Sequence, residues 1–174
     1  VDPMKEIILF STYFASSNPT RQAEIDSCLF NNLSNNIITA VNLFVDPKDE
    51  IILLDYLAKI DSRLIKKLKI IPLGRIPSYK DWLDNTDCKD VLSVFANADI
   101  YFDSSIARAN DILSDHEDNL ICLSRHDVFD GNYVPHAQPH WSQDAWIINS
   151  NCITNIGFIN DLNIKTSLCR CDNQ

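Results

Sequence analysis

Short apolar runs that alternate with longer amphipathic segments limit this chain to few folds. The runs are KEIILF at 5–10, IITAVNLFVD at 37–46, KIIPL at 69–73, the VLSVFA that opens at 91, and NLICLSRHDV at 119–128. Runs this short, rich in Ile, Leu and Val, read as buried strands. Between the first two lies SNPTRQAEIDSCLFNNL, where Ala23, Ile25, Cys28, Leu29 and Leu33 recur at roughly helical spacing, with Asn18 or Thr20 as the capping residue. Strand, helix and strand in this order make a β-α-β unit with a parallel pair.

The alternation continues. EIILLDYLAKI reads as a helix and DSRLIKKL as a short second turn; Ser78 caps a helix through Tyr79, Trp82 and Leu83. SSIARANDILSDH is a helix with Ile106, Ala109, Ile112 and Leu113 inward. FDGNYVPHAQPHWSQ (129–143) is expected to be an irregular loop, DAWIIN (144–149) a short strand or helix start, and the tail irregular. The expected fold class is therefore α/β, a mostly parallel sheet flanked by helices and followed by a loop-rich part.

The chain's 174 residues fit one domain. The opening Val1-Asp2-Pro3 reads as a remnant of cloning, with the natural chain from Met4. A formal charge of −9, from 24 acids against 15 bases, disfavours a general nucleic-acid binder. Nucleotides stay open, because a divalent cation or a local Arg can supply positive charge. The three glycines, at 74, 131 and 157, make neither a G-x-G-x-x-G fingerprint nor a Walker loop. Six scattered cysteines give no zinc spacing and no disulfide framework. No apolar run approaches the 18 or so residues of a membrane span, and no signal-type segment opens the chain. A protein of a reducing compartment, the cytoplasm, is expected.

Several clusters could carry chemistry. Asn97 and Asp99 follow a central strand at its carboxyl end, where open α/β sheets bind ligands. If the backbone stays extended they share a side and suit Mg²⁺ or Mn²⁺, which take phosphates and water as further ligands. The alternative for Asp99 is a turn residue. Asp103 either joins them or caps the helix from 104. Arg125 leaves the 119–128 strand, where it could face a phosphate or a sugar or simply be a solvated strand end; His126 and Asp127 point to opposite faces. His136 and His140 are four apart, but Pro139 opposes a metal-binding helix. Asp144 lies between Trp141 and Trp146; shielding by indoles would make it a base for a hydroxyl, and a cap or turn role beside core tryptophans is the alternative. Thr12, Tyr13 and Arg21 follow the first strand, and Arg75 and Tyr79 the third; all could hold a base and ribose, or serve no ligand.

Six ordered blocks, NPTRQAEIDSCLFNNL, IPSYKDWLD, ANADIYFDSS, ICLSRHD, SQDAWI and CDNQ, resemble the small nucleotide-sugar-dependent glycosyltransferases of the GT-A fold over nearly the whole chain. Among them, the likeness is to an N-terminal domain of chlorella-virus members that glycosylate the major capsid protein. The resemblance implies a nucleotide-binding half at about 5–103 and an acceptor-binding half at about 104–174, and it leaves room for further domains of the same polypeptide. It implies a D-x-D type motif at Asn97-Ala98-Asp99, with asparagine in the first acidic position, holding manganese or magnesium against the donor diphosphate. It further implies Asp144 as the base of an inverting transfer, and Asp172 with Asn173 as a late block near the phosphates. A UDP-linked glucose- or rhamnose-type donor, a glycan acceptor on a capsid glycoprotein, and the host cytoplasm as location follow from the same likeness. Two rivals stand beside it: a metal-dependent nucleotidyltransferase or phosphatase, and a carbohydrate-binding domain without catalysis.

Overall fold

Strand β1 (Ile7–Tyr13) runs through the centre of the fold because its side chains are apolar on both faces, as a doubly covered parallel strand requires. The computed structural model of the protein describes residues 4–87 and 89–155. After β1 come α1 (Pro19–Ser34), β2 (Ile38–Val45), α2 (Glu50–Leu57), α3 (Ser62–Ile65), β3 (Leu68–Pro72), α4 (Tyr79–Asn85) and β4 (Leu92–Ala96). Then follow α5 (Arg108–Ser114), β5 (Leu120–Ser124), β6 (His126–Phe129), β7 (Asn132–Pro135) and β8 (Gln143–Asn149).

The main sheet has the order β3-β2-β1-β4-β8-β5. Its first four strands are mutually parallel, and β8 runs antiparallel between β4 and β5. Alternation along the strands builds two cores. On one face Leu9, Val41, Leu43 and Val94 pack against Ile25, Leu29 and Leu33 of α1 and Leu113 of α5. On the other, Phe10, Phe44, Phe95 and Trp146 meet Trp82 and Leu83 of α4. The class is thus α/β, one mostly parallel sheet flanked by helices, a GT-A or Rossmann-like arrangement.

Local chemistry sets the helix ends. The Asn18 side chain accepts from the N–H groups of Thr20 (2.9 Å) and Arg21 (3.3 Å), so Asn18 and not Thr20 caps α1. At its other end the Lys67 ammonium donates to the carbonyls of Asn35 (2.8 Å) and Ile38 (3.1 Å), a cation at the negative pole of the helix. Ser78 and Asp81 form a capping box on α4.

The structure decides or corrects the sequence reading in four places. The chain turns after Ala96, with the Ile100 N–H bonded to the Asn97 carbonyl at 3.1 Å, so the backbone does not stay extended over 97–103 and Asp99 takes the alternative of a turn residue. Residues 104–107 form a 3-10 turn; Ile106, Ala109 and Leu113 are buried while Ile112, at the flank of that face, is 50% exposed. The strand expected at 119–128 breaks at Arg125 into β5 and β6. Part of the expected loop is the β6–β7 hairpin, closed by Asp130 (φ 50°) and Gly131 (φ 78°). Asp-Gly with both φ positive is a favoured two-residue hairpin turn.

Beneath the second core, the Trp82 indole N–H donates to the Ser93 hydroxyl at 2.7 Å, which lies 2.9 Å from the Thr86 hydroxyl; Ser93 is fully buried. Ser93→Ala leaves the buried indole N–H without its acceptor. A loss of about 1–3 kcal/mol is expected, read as a lower urea midpoint at unchanged m-value.

Candidate active site at the carboxyl edge of the sheet

Two clusters of polar side chains stand where β4 ends. The first rests on the turn after β4. Asp99 sits in it and receives Arg21 of α1 at 2.8 Å; Arg21 also reaches Glu24 at 3.0 Å. The capped first turn of α1 places Arg21 at this edge. The neighbouring acid raises the Arg21 pKa.

The second cluster depends on β8. The register pairs Ala96 with Ala145, so Asn97 and Asp144 stand side by side at the strand ends. The Asn97 N–H donates to the Asp144 carbonyl at 3.1 Å, and the Asn97 amide Nδ2 donates to the Asp144 carboxylate at 3.0 Å. The other carboxylate oxygen accepts from Arg125 at 3.2 Å and from Ser142 at 3.3 Å. The Arg125 Nε–H donates to Asp127 at 2.9 Å, and His136 Nδ1 meets the second Asp127 oxygen at 2.9 Å. A continuous line therefore runs Asn97, Asp144, Arg125, Asp127, His136. The Asp127 carboxyl is held below its ordinary value, first by the His136 hydrogen bond and then by Arg125.

Asp144 is ion-paired and only 16% exposed in its side chain. Of the two indoles expected to shield it, Trp141 is 58% exposed and Trp146 is buried in the second core. Asp103 accepts from the Ser105 N–H at 2.8 Å and caps the 3-10 turn, the second of its two expected roles. Tyr13 is 2% exposed and donates its hydroxyl to Asp26 at 2.7 Å, a core position. Thr12 is half-buried on β1, and Ala98 packs against the first core. Arg75 forms a two-pronged pair with Asp81, both contacts 2.6 Å, after β3. Tyr79 lies edge-on to Trp146 at 5.1 Å and to Phe95 at 6.1 Å. Asp172 and Asn173 lie outside the described residues.

Sequence reasoning set aside Asp127 and His136 and did not consider Ser142. The Asp130-Gly131 dipeptide was the signal for them: a hairpin there brings His136 back towards Asp127, and Arg125 and Asp127, two apart, share a side.

Among the described residues no three His, Cys, Asp or Glu side chains converge as a metal group. Asn97 and Asp99 lie two apart at one turn, the first bonded to Asp144 and the second paired with Arg21; their amide oxygen and carboxylate are of the hard-donor type. No helix among the described residues is long and apolar enough to cross a membrane.

No family model matches the chain, and no curated protein matches it by sequence. Solved structures do share its fold. The 4-diphosphocytidyl-2C-methyl-D-erythritol synthase of Anaerococcus prevotii aligns with TM-score 0.60 and 13% identity over 97% of this chain and 80% of its own. S. aureus TarS 1-349 in complex with UDP aligns with TM-score 0.58 and 14% identity over 97% of this chain and 53% of TarS. Its complex with UDP-GlcNAc gives TM-score 0.56 over 91% and 48%. This chain thus spans about half of TarS 1-349. These likenesses establish the fold; none of the three is a viral capsid-glycosylating enzyme.

Removing Arg125 takes a cation from Asp127. In Arg125→Ala the Asp127 carboxyl is expected to titrate at higher pH than in the wild type, read from carboxyl ¹³C shifts. The sign is that of a depressed carboxylate: its stabilising contribution is whole above the ordinary 3.8 and disappears as pH falls through the lower folded value.

Proposed function

We propose that this chain is a glycosyltransferase domain, which moves a sugar from a nucleoside diphosphate donor, UDP-linked, to a hydroxyl of a glycan acceptor. One observation supports the reading above the others: Asn97, Asp144 and Arg125 meet within hydrogen-bond distance at the carboxyl edge of β4. This is the edge where open α/β sheets take ligands. The shared fold with a UDP-GlcNAc-bound structure agrees with it.

Each side chain then has a task. Asp144 accepts the proton of the attacking hydroxyl. Its Arg125 contact, at 3.2 Å, yields when the diphosphate arrives, because the guanidinium fork prefers two phosphate oxygens. Arg125 then meets the negative charge that grows on the leaving group. Asn97 keeps its bond to Asp144 and fixes the carboxylate plane. With the base and the leaving phosphate on opposite sides of the anomeric carbon, the transfer inverts. Asp99 and the Asn97 oxygen would hold Mn²⁺ or Mg²⁺, which when bound neutralises diphosphate charge. Arg21 must release Asp99 for that, and its second acid, Glu24, is at hand. The glucose- or rhamnose-type sugar and a capsid glycoprotein as acceptor rest on the sequence resemblance alone.

A second reading has its own observation: the diphosphocytidyl synthase matches this chain over 80% of its own length. A nucleotidyltransferase would release pyrophosphate from a nucleoside triphosphate and a sugar phosphate. Against it, the β1–α1 connection, Phe14-Ala15-Ser16-Ser17-Asn18, has no glycine to let a backbone cradle a triphosphate.

The test is calorimetric titration of UDP with and without Mn²⁺, followed by donor turnover. Manganese-dependent UDP affinity and slow release of free sugar and UDP are expected. Asp99→Ala is expected to abolish the manganese dependence. Asp144→Asn is expected to lower transfer by roughly 10²–10⁴-fold at unchanged UDP affinity. Pyrophosphate release with no UDP-sugar turnover would establish the second reading instead.

A further inference from the structure

We propose that His136 is a positioning residue: through Asp127 it orients the Arg125 guanidinium so that one edge stays open for an anionic diphosphate. This deepens the proposed function and rests on that reading for the identity of the anion.

Arg125 stands between two carboxylates, those of Asp127 and Asp144. A flexible arginine beside a lone carboxylate tends to a two-pronged pair, which uses one whole edge of the fork. With Asp144 such a pair would quench the base and the cation together. The structure shows a different arrangement. Nε is bound to Asp127 at 2.9 Å and one Nη1 proton to Asp144 at 3.2 Å. Since Nε, Cζ and both Nη atoms are coplanar, two anchors on different nitrogens fix the plane of the group before a ligand arrives, and the Asp127 anchor on Nε is the one that remains once Asp144 is released. Among the described residues the guanidinium is bonded to these two acids alone; by its planar geometry one Nη2–H lies along the edge that Nε–H presents to Asp127, and the other lies on the end edge that a phosphate can take.

Asp127 can serve as anchor only if its own carboxylate does not rotate. His136 prevents the rotation: its Nδ1 engages Oδ2 while Arg125 engages Oδ1. A carboxylate only accepts, so this contact calls for the imidazole tautomer with its proton on Nδ1. The imidazole reaches this point because the β6–β7 hairpin folds back at Asp130-Gly131 and pairs Asp127 with Val134, two residues before His136. The His136 N–H also approaches the Arg125 carbonyl at 3.4 Å, which ties the hairpin's end to the residue it orients. An exposed two-stranded ribbon has little core of its own. Its placement of one histidine on one acid beside the candidate base gives it a role beyond connection.

The experiment compares wild type with Asp127→Ala, His136→Ala, His136→Asn and His136→Gln. The Asn amide nitrogen can take the place of Nδ1, whereas the longer Gln amide cannot. The first readout is the ¹⁵N–¹H resonance of the Arg125 Nε–H, assigned by its loss in Arg125→Lys. A shifted, exchange-protected signal is expected in wild type and His136→Asn, and its loss in the Asp127→Ala, His136→Ala and His136→Gln proteins. The second readout is the UDP dissociation constant, expected to weaken about tenfold when that signal is lost and to recover in His136→Asn. If His136→Ala does not fold, the Asn and Gln variants carry the comparison. An Nε–H signal unchanged in His136→Ala or His136→Gln overturns the positioning role. Should the signal follow the expected pattern while the wild type binds no UDP, the orientation of Arg125 by His136 stands and the glycosyltransferase reading falls.

Discussion

The antiparallel seam between β4 and β8 governs this molecule's candidate chemistry. Four parallel strands alone would end in a row of separate loops. Because β8 enters between β4 and β5 in the opposite sense, its first residues lie beside β4's last ones. The ladder places Ala145 opposite Ala96, and the next pair outward is Asp144 beside Asn97. A one-residue slip would turn Trp146 out of the second core and Asp144 away from Asn97 together. The burial of Phe95 and Trp146 on one face therefore holds the register on which the polar pair depends.

The site's electrostatics follow the same logic in a chain of net charge −9. The acids at the sheet edge are not left to repel one another or a phosphate. Asp99 is matched by Arg21, and Asp144 and Asp127 share Arg125. Both arginines are partly exposed, at 39% and 36% of their side chains, so their contacts can be exchanged for those of an anionic ligand at small desolvation cost. By contrast, the lysines of the groove between α3, β2 and β3 lie at the amino ends of the strands, away from this edge, and Lys67 there serves the end of α1.

Much of the fold was legible because short β-branched and aliphatic runs have few alternatives. β1, β2, β3 and the Ser78 cap sit within a few residues of where alternation and capping chemistry put them. Legibility failed where a local signal competed with a tertiary one. Residues 97–100 left extension and a turn both open from their apolar flanks, and they close a turn. Ile112 has helical spacing with the inward residues, yet it lies at the flank of the face that Ala109 and Leu113 bury and is 50% exposed. The loop at 129–143 hid a hairpin because its apolar residues are exposed on both faces: Phe129 at 63% and Tyr133 at 61% show no buried stripe to read. Asp103 shows the reverse case, a plausible ligand by type that a free Ser105 N–H claimed as a cap.

By itself the sequence determined the α/β class, the strands and helices of its first half, and the residue types available at the sheet's carboxyl edge, since these depend on short-range periodicity and capping. Only the tertiary structure decided which of those residues meet. Arg21 lies 78 residues from Asp99, and Asn97 lies 47 from Asp144, so their pairing arises from strand order and register. No local pattern encodes the direction of β8; it follows from burying the second core, which is a property of the whole sheet.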